Sequence, residues 1–208
     1  MAADVQEFYD QVSELINRGT TFDSQIPQYV ARALRFLEQN YTFDYMKVRD
    51  PDFHNITVGV EQYEYPPLVK SFHDWEYTED DGDVIHLTKV DVKDINSRET
   101  ATPVAYYTEG KDSIWLDSVP GESLTSVLWS YQYTDWSLVE LGDSPWMVTY
   151  GEGLLRVQTV ILMGPRLRDA KLIQLCLEEK KEHLKVMSLA EEDFEAGDDD
   201  PAMDYVRV

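Results

Sequence analysis

Cysteine is almost missing from this chain. The one thiol, Cys176, excludes an internal disulfide framework, and its place in an apolar helical run points to a buried, reduced side chain. Long hydrophobic runs are missing too, since none approaches the roughly 18–20 residues of a membrane span. The opening "MAADVQEFYDQ" has no basic-plus-apolar signal pattern, so the expectation is a cytosol-like compartment and no membrane. Basic residues are scarce: 18 Lys and Arg face 40 Asp and Glu. Affinity for nucleic acid draws on phosphate neutralisation by Lys and Arg, so this balance argues against a DNA-binding protein.

Catalytic signatures are equally thin. There is no HExxH or CxxC pair for zinc and no GxSxG elbow, and Cys176 has no neighbour that would activate it. "GEGLLRV", residues 151–157, sets two glycines before a helix but lacks the Lys-Ser/Thr of a nucleotide loop, and Glu152 would repel phosphate. It reads better as a joint. Asp80, Asp81 and Asp83 crowd one turn without the alternating D-x-D-x-D-G order of a calcium loop, so a solvated hairpin turn is expected there. His73-Asp74 and His86 fall on neighbouring predicted strands and could come close, as ordinary strand residues. No catalytic, metal or cofactor residue is assigned, and the chain is expected not to be an enzyme.

Structure-forming pattern, by contrast, is plentiful. Residues 4–17 place Val5, Phe8, Val12 and Leu15 at helical spacing, with Gly19 as a stop. A second helix starts near "FDSQIPQYV", capped by Asp23 or Ser24 and with Pro27 in its first turn; Ile26, Val30, Leu34, Leu37 and Tyr41 line one face. The period then changes. "ITVGVEQYEYPP", "SFHDWEYTE", "DVIHLTKVDV", "SIWLDSV" and "TSVLWSYQYTDW" are short, aromatic and β-branched, separated by turn signals. They predict an antiparallel sheet over 56–135. Helical period returns with the apolar run 153–163. Gly164-Pro165 is expected to break the chain before a helix over 166–189 with Leu167, Ala170, Ile173, Leu177, Leu184 and Met187 on one stripe.

From 191 no apolar period survives. Seven of the ten residues 191–200 are acidic, yet Met203, Tyr205, Val206 and Val208 follow. The expected fold is α+β: a helical bundle from the N- and C-terminal helices with an inserted antiparallel β-sandwich or barrel and an extended C-terminal tail. The expected divisions are 1–49 for the N-terminal bundle helices, 50–143 for an acidic β-rich region, 144–190 for the C-terminal bundle helices and 191–208 for the acidic tail. Charge follows the same divisions roughly. Residues 50–155 hold 21 acidic against 5 basic side chains, whereas 156–190 hold 7 basic against 4 acidic.

With helix, sheet, helix and tail in this order, the chain resembles the head-to-tail adaptor (connector) proteins of tailed bacteriophages. One stretch that carries the resemblance is "TFDSQIPQYVARALRFLEQNYTFDYMKV", residues 21–48, similar to the family's opening helix. The other runs from "TPVAYYTEGKDSIWLDSVPGESLTSVLWSYQYTDWSL" to "GDSPWMVTYGEGLLRVQTVILMGPRLRDAKLIQLCLEEKKEHLKVM", residues 102–187. There the family shows an aromatic strand, a tight Gly turn, a strand ending in a Pro turn, a Tyr-rich strand, a Pro-apolar step and paired helices.

The resemblance implies a structural virion protein at the head–tail junction, assembled in the host cytoplasm. It implies a homo-oligomeric, dodecameric ring beneath the portal protein that continues the DNA channel and meets tail or nozzle proteins, with DNA passing through without specific binding. On that reading Phe194, Met203, Tyr205, Val206 and Val208 bind the portal. Ile26, Val30, Leu34, Leu167, Ile173, Leu177 and Leu184 pack the ring or the bundle. Asp80, Asp81 and Asp83 are candidate channel-lining carboxylates. The rivals are a β-rich carbohydrate-active enzyme with Trp75, Trp115, Trp129 and Trp136 as sugar platforms, and an acidic binding module.

Overall fold

The computed structural model describes residues 4–50, 55–65, 68–79, 82–95, 99–110 and 113–195. Two compact units emerge. One combines the chain before Met46 with the described residues from Tyr133 on, and the other is Met46–Gln132. Helices dominate the first and antiparallel strands the second.

In the helical unit, α1 (Val5–Ile16) is capped by Asp4, whose carboxylate accepts from the Glu7 N–H at 2.8 Å. Its core face is Val5, Phe8, Val12 and Ile16. Ile16 takes the place expected for Leu15 because 11 residues from Val5 close about three whole turns and 10 do not. Asn17 ends the helix in the left-handed region (φ 50°), two residues before Gly19. For α2 (Ile26–Asn40) the expected side-chain cap is not used. A 3-10 turn over Asp23–Gln25 leads in, and the Asp23 carboxylate instead accepts from the Ser13 hydroxyl at 2.7 Å. Pro27 does sit in the first turn, where its missing N–H costs nothing.

Helices α3 (Trp146–Thr149) and α4 (Glu152–Leu167) follow the β unit in sequence. α4 buries Leu154, Leu155, Val157, Gln158, Thr159, Val160 and Met163, which lie all round its axis. Such a helix must be surrounded, and α1, α2, α3 and α5 (Ala170–Glu195) all pack on it. Burial of each Leu or Val here stabilises by about 1.5–3 kcal/mol.

Gly164-Pro165 does not break the chain: α4 runs through both residues to Leu167. Pro165 forfeits a single backbone bond so near the helix end, and the true break is Arg168, left-handed at φ 51°. Asp169 then caps α5, accepting from the Leu172 N–H at 3.0 Å. Gly164 has a different use. A Cβ there would lie 2.8 Å from Ile173 Cδ1, so the missing side chain lets α5 close on α4. Further along the same pair, a Cβ on Gly153 would lie 2.3 Å from the His183 ring.

The inward stripe of α5 also differs from expectation. Cys176 and Met187 are buried and Ile173 and Leu184 are half-buried, while Leu177 is 40% exposed and Ala170 is exposed. The helix continues to Glu195, five residues into the segment expected to be tail. Residues 191–195 contain no Gly or Pro and are mostly good helix formers, so propagation costs little once α5 is docked.

A buried carboxylate ties the helical unit together. Glu38 on α2 is 2% exposed and accepts from the Thr134 backbone N–H (3.1 Å) and hydroxyl (2.7 Å). That hydroxyl in turn accepts from the Trp146 indole N–H at 3.1 Å.

Among the described residues the second unit holds two four-stranded sheets. The first has the order β1 (Lys47–Asp50), β8 (Thr125–Gln132), β3 (Val69–Thr78), β4 (Val84–His86), all antiparallel. The second has the order β2 (Gln62–Glu64), β7 (Ser113–Leu116), β6 (Ala105–Glu109), β5 (Thr88–Lys89). Its β5–β6 pair is parallel and the rest antiparallel. Both sheets feed one core of Ile56, Tyr63, Trp75, Tyr77, Leu87, Tyr106, Ile114, Leu116, Leu124 and Leu128. The barrel alternative is wrong, because each sheet keeps two edge strands and neither closes. The run "DVIHLTKVDV" explains why it does not: the chain leaves the first sheet at His86 and joins the second at Thr88, with buried Leu87 between.

Candidate functional site

The first sheet presents a charged face opposite its core face. Side chains alternate along β3, so Trp75 and Tyr77 point into the core and Asp74 and Glu76 point away. Glu76 pairs in register with His86 on β4, and Asp74 pairs with Trp129 on β8. Register therefore brings Asp74, Glu76, His86 and Trp129 onto one surface. His86 Nδ1 lies 2.6 Å from Asp74 Oδ2 and 3.7 Å from Glu76 Oε2. The Trp129 indole N–H points to the other oxygen of Glu76 at 3.5 Å. On the far side of Trp129, the cations of Lys47 and Arg49 on β1 stand 5.1 and 5.8 Å from the ring centroid. The three ligand-type atoms of Asp74, Glu76 and His86 all fall within 4.8 Å of one another.

The helical unit carries an aromatic run of its own. Tyr45 stacks on Tyr150 (4.6 Å, 2° between planes) and on Trp146 (6.2 Å), and Trp146 meets Phe43 at 5.5 Å. At this same C-terminal end of α2, where the Tyr41 ring lies 6.0 Å from that of Phe43, Lys180 of α5 places its ammonium 5.0 Å from the Phe36 ring and 5.8 Å from that of Tyr41. Burial among these rings lowers the Lys180 pKa. Cys176 is buried and its thiol pKa is raised, first by burial and then by Glu179, so it stays protonated and unreactive.

Residues 3–164 match the family model of the SU10 adaptor protein. The chain belongs to this family. It is thus a head-to-tail adaptor of the tailed-bacteriophage type, a structural class of the virion neck and not an enzyme class. No curated protein matches the chain. The matched region takes in both units and stops inside α4, and α5 lies beyond it.

In this adaptor Ile26, Val30, Leu34 and Leu167 are all buried in the subunit's own helical core. Ile173 rests on Gly164, Leu184 is half-buried and Leu177 faces solvent. Phe194 belongs to the last turn of α5, its side chain not described; Met203, Tyr205, Val206 and Val208 lie outside the described residues. So do Asp80 and Asp81. Asp83 is exposed, and its carbonyl accepts from the Glu79 N–H at 2.9 Å to close the β3–β4 turn. Trp75 is a core residue at 1% exposure and cannot be a sugar platform. Trp129 serves as the bridge between the β1 cations and Glu76.

The approach of Asp74 and His86 was legible as neighbouring strands. Glu76 was missed, although it follows Asp74 by the two residues that return a strand to the same face. No sequence signal marks Lys47 and Arg49 as neighbours of Trp129, because β1 and β8 are more than 70 residues apart in the chain.

Proposed function

We propose that the protein is a ring-forming adaptor that joins the portal to the tail and continues the DNA channel. The match of residues 3–164 to the SU10 adaptor family carries this reading. The ring is dodecameric, as the resemblance implies, and assembles on or beneath the portal in the host cytoplasm. Two features of the chain support it. α5 exposes Leu175 (48%), Leu177 (40%) and Val186 (63%), apolar side chains that a neighbouring subunit would cover. The acidic excess of residues 50–155 suits a bore that must pass DNA without holding it, since like charge repels phosphate. In this assignment Asp80, Asp81 and Asp83 contribute to the lining, and the more basic 156–185 helices face an acidic neighbour.

Residues 196–208 act as a tether. Met203, Tyr205, Val206 and Val208, with Phe194 at the end of α5, bury against the portal. Ordering the backbone costs about 1–2 kcal/mol per residue, so one tether binds weakly and a ring of them binds tightly through effective concentration.

Light scattering after gel filtration tests both parts. The full chain, alone or mixed with the portal, gives the mass of a ring, and a chain cut after Glu195 loses most of its portal affinity while keeping the folded units. A monomer that stays monomeric with the portal overturns the ring. Undiminished attachment of the cut chain overturns the tether.

A further inference from the structure

We propose that Asp74, Glu76 and His86 form a binding site for a divalent transition-metal ion of the zinc type on the outward face of the first sheet. The inference is independent of the adaptor reading and rests on charge and register.

Asp74 and Glu76 are neighbours on one face of β3, and two carboxylates so placed repel each other. Among the described residues neither has a Lys or Arg within ion-pair distance; the group between them is the His86 imidazole. Both side chains are only about a quarter exposed, at 27% and 22%, so water shields them incompletely. The nearby cations, Lys47 and Arg49, are drawn to the opposite side of Trp129. Among the described residues the two carboxylates thus have no Lys or Arg to balance them, and a bound divalent cation supplies the positive charge.

The donor set selects the ion. One imidazole nitrogen and two carboxylate oxygens suit a borderline metal such as Zn²⁺; Mg²⁺ and Ca²⁺ take oxygen ligands and gain nothing from the imidazole. Three protein ligands leave a position for water, as in open zinc sites. Ligand atoms around a tetrahedral ion at bonds of about 2.0–2.1 Å stand about 3.3 Å apart. The present separations of 2.6 and 3.7 Å straddle that value. His86 is 61% exposed on a three-residue edge strand, so a small rotation brings all three into range. The metal replaces the hydrogen-bonded proton between Nδ1 and Asp74 Oδ2. The Trp129 indole steadies Glu76 through its second oxygen, the arrangement that orients ligating carboxylates generally. Loading pins the short edge strand β4 to β3.

The test titrates the full chain with Zn²⁺ in excess Mg²⁺, which occupies the many unspecific carboxylates of so acidic a protein. Calorimetry gives the stoichiometry, and imidazole NMR identifies the histidine. One Zn²⁺ per chain is expected, shifting the His86 ring signals and leaving those of His54, His73 and His183 in place. His86→Gln and Glu76→Gln each weaken binding at least about tenfold, with circular dichroism unchanged. Absence of zinc uptake, full competition by Mg²⁺, or equal uptake by His86→Gln overturns the site.

Discussion

Glu38 shows how one residue sets the terms for several others. Its carboxylate is buried, and it is the acceptor for both donors of Thr134, whose hydroxyl is in turn the acceptor for Trp146. Truncation leaves those donors without their carboxylate partner in a part-buried site. Glu38→Ala is therefore expected to cost about 2–3 kcal/mol in a denaturant titration, because an unmet buried donor loses its full solvation. Glu38→Gln keeps an acceptor oxygen and costs roughly half as much. Nothing in the helical pattern marked Glu38 as inward, because the apolar stripe of α2 is complete without it. Its partner is 96 residues away in the chain.

At the scale of elements, the α4–α5 pair turns on two glycines. Gly153 lies under His183 and Gly164 under Ile173, so the helices approach where a side chain is missing. Gly→Ala inside a helix is intrinsically worth about 1 kcal/mol in favour of Ala. Here the clash opposes that gain. Gly153→Ala is expected to lower the melting temperature, and adding His183→Ala to restore it. The double-mutant cycle should give a coupling of about 1–2 kcal/mol, and additive effects would show that the contact does not set the helix spacing. The helices themselves were readable from apolar spacing and caps. Their ends were not: Pro165 looked like a stop, but one lost bond in the last turn is cheaper than undocking Leu167 from the core. The β unit was readable as antiparallel strands with turns, whereas the switch of sheet at Leu87 was not, since alternation records a face and not which sheet it belongs to.

For the whole molecule, charge and buried phenols together set the alkaline limit. Burial, with a contribution from Asp74, pushes the Tyr106 pKa up to about 12, and burial raises those of Tyr63, Tyr77 and Tyr9. A folded-state pKa above the usual value of about 10 means stability that is complete below pH 10 and lost as pH climbs from there to about 12. Each phenolate formed also adds to a net charge of −22. Unfolding followed by circular dichroism should set in within this window, together with a late rise in phenolate absorbance near 295 nm. Added salt should move it to higher pH by screening the repulsion. A titration complete near pH 10 with the fold intact would show that the β core does not exclude water from Tyr63, Tyr77 and Tyr106.

The sequence by itself determined the class of the protein. What it determined is the mixed helix-and-sheet fold class, because the order of helix, strand and helix is a local property that local spacing is enough to express. The strand pattern also put Asp74 and His86 on neighbouring strands, where they could meet. Tertiary structure alone decided the rest: that the strands form two open sheets on one core, that Ile26, Val30, Leu34 and Leu167 are spent inside the subunit, that Leu177 faces outward, and that Trp129 separates two cations from two carboxylates. These depend on which distant segments pair and at what register. Register is fixed by the sum of many weak side-chain contacts across the sheets and helices, and no single stretch of sequence contains that sum.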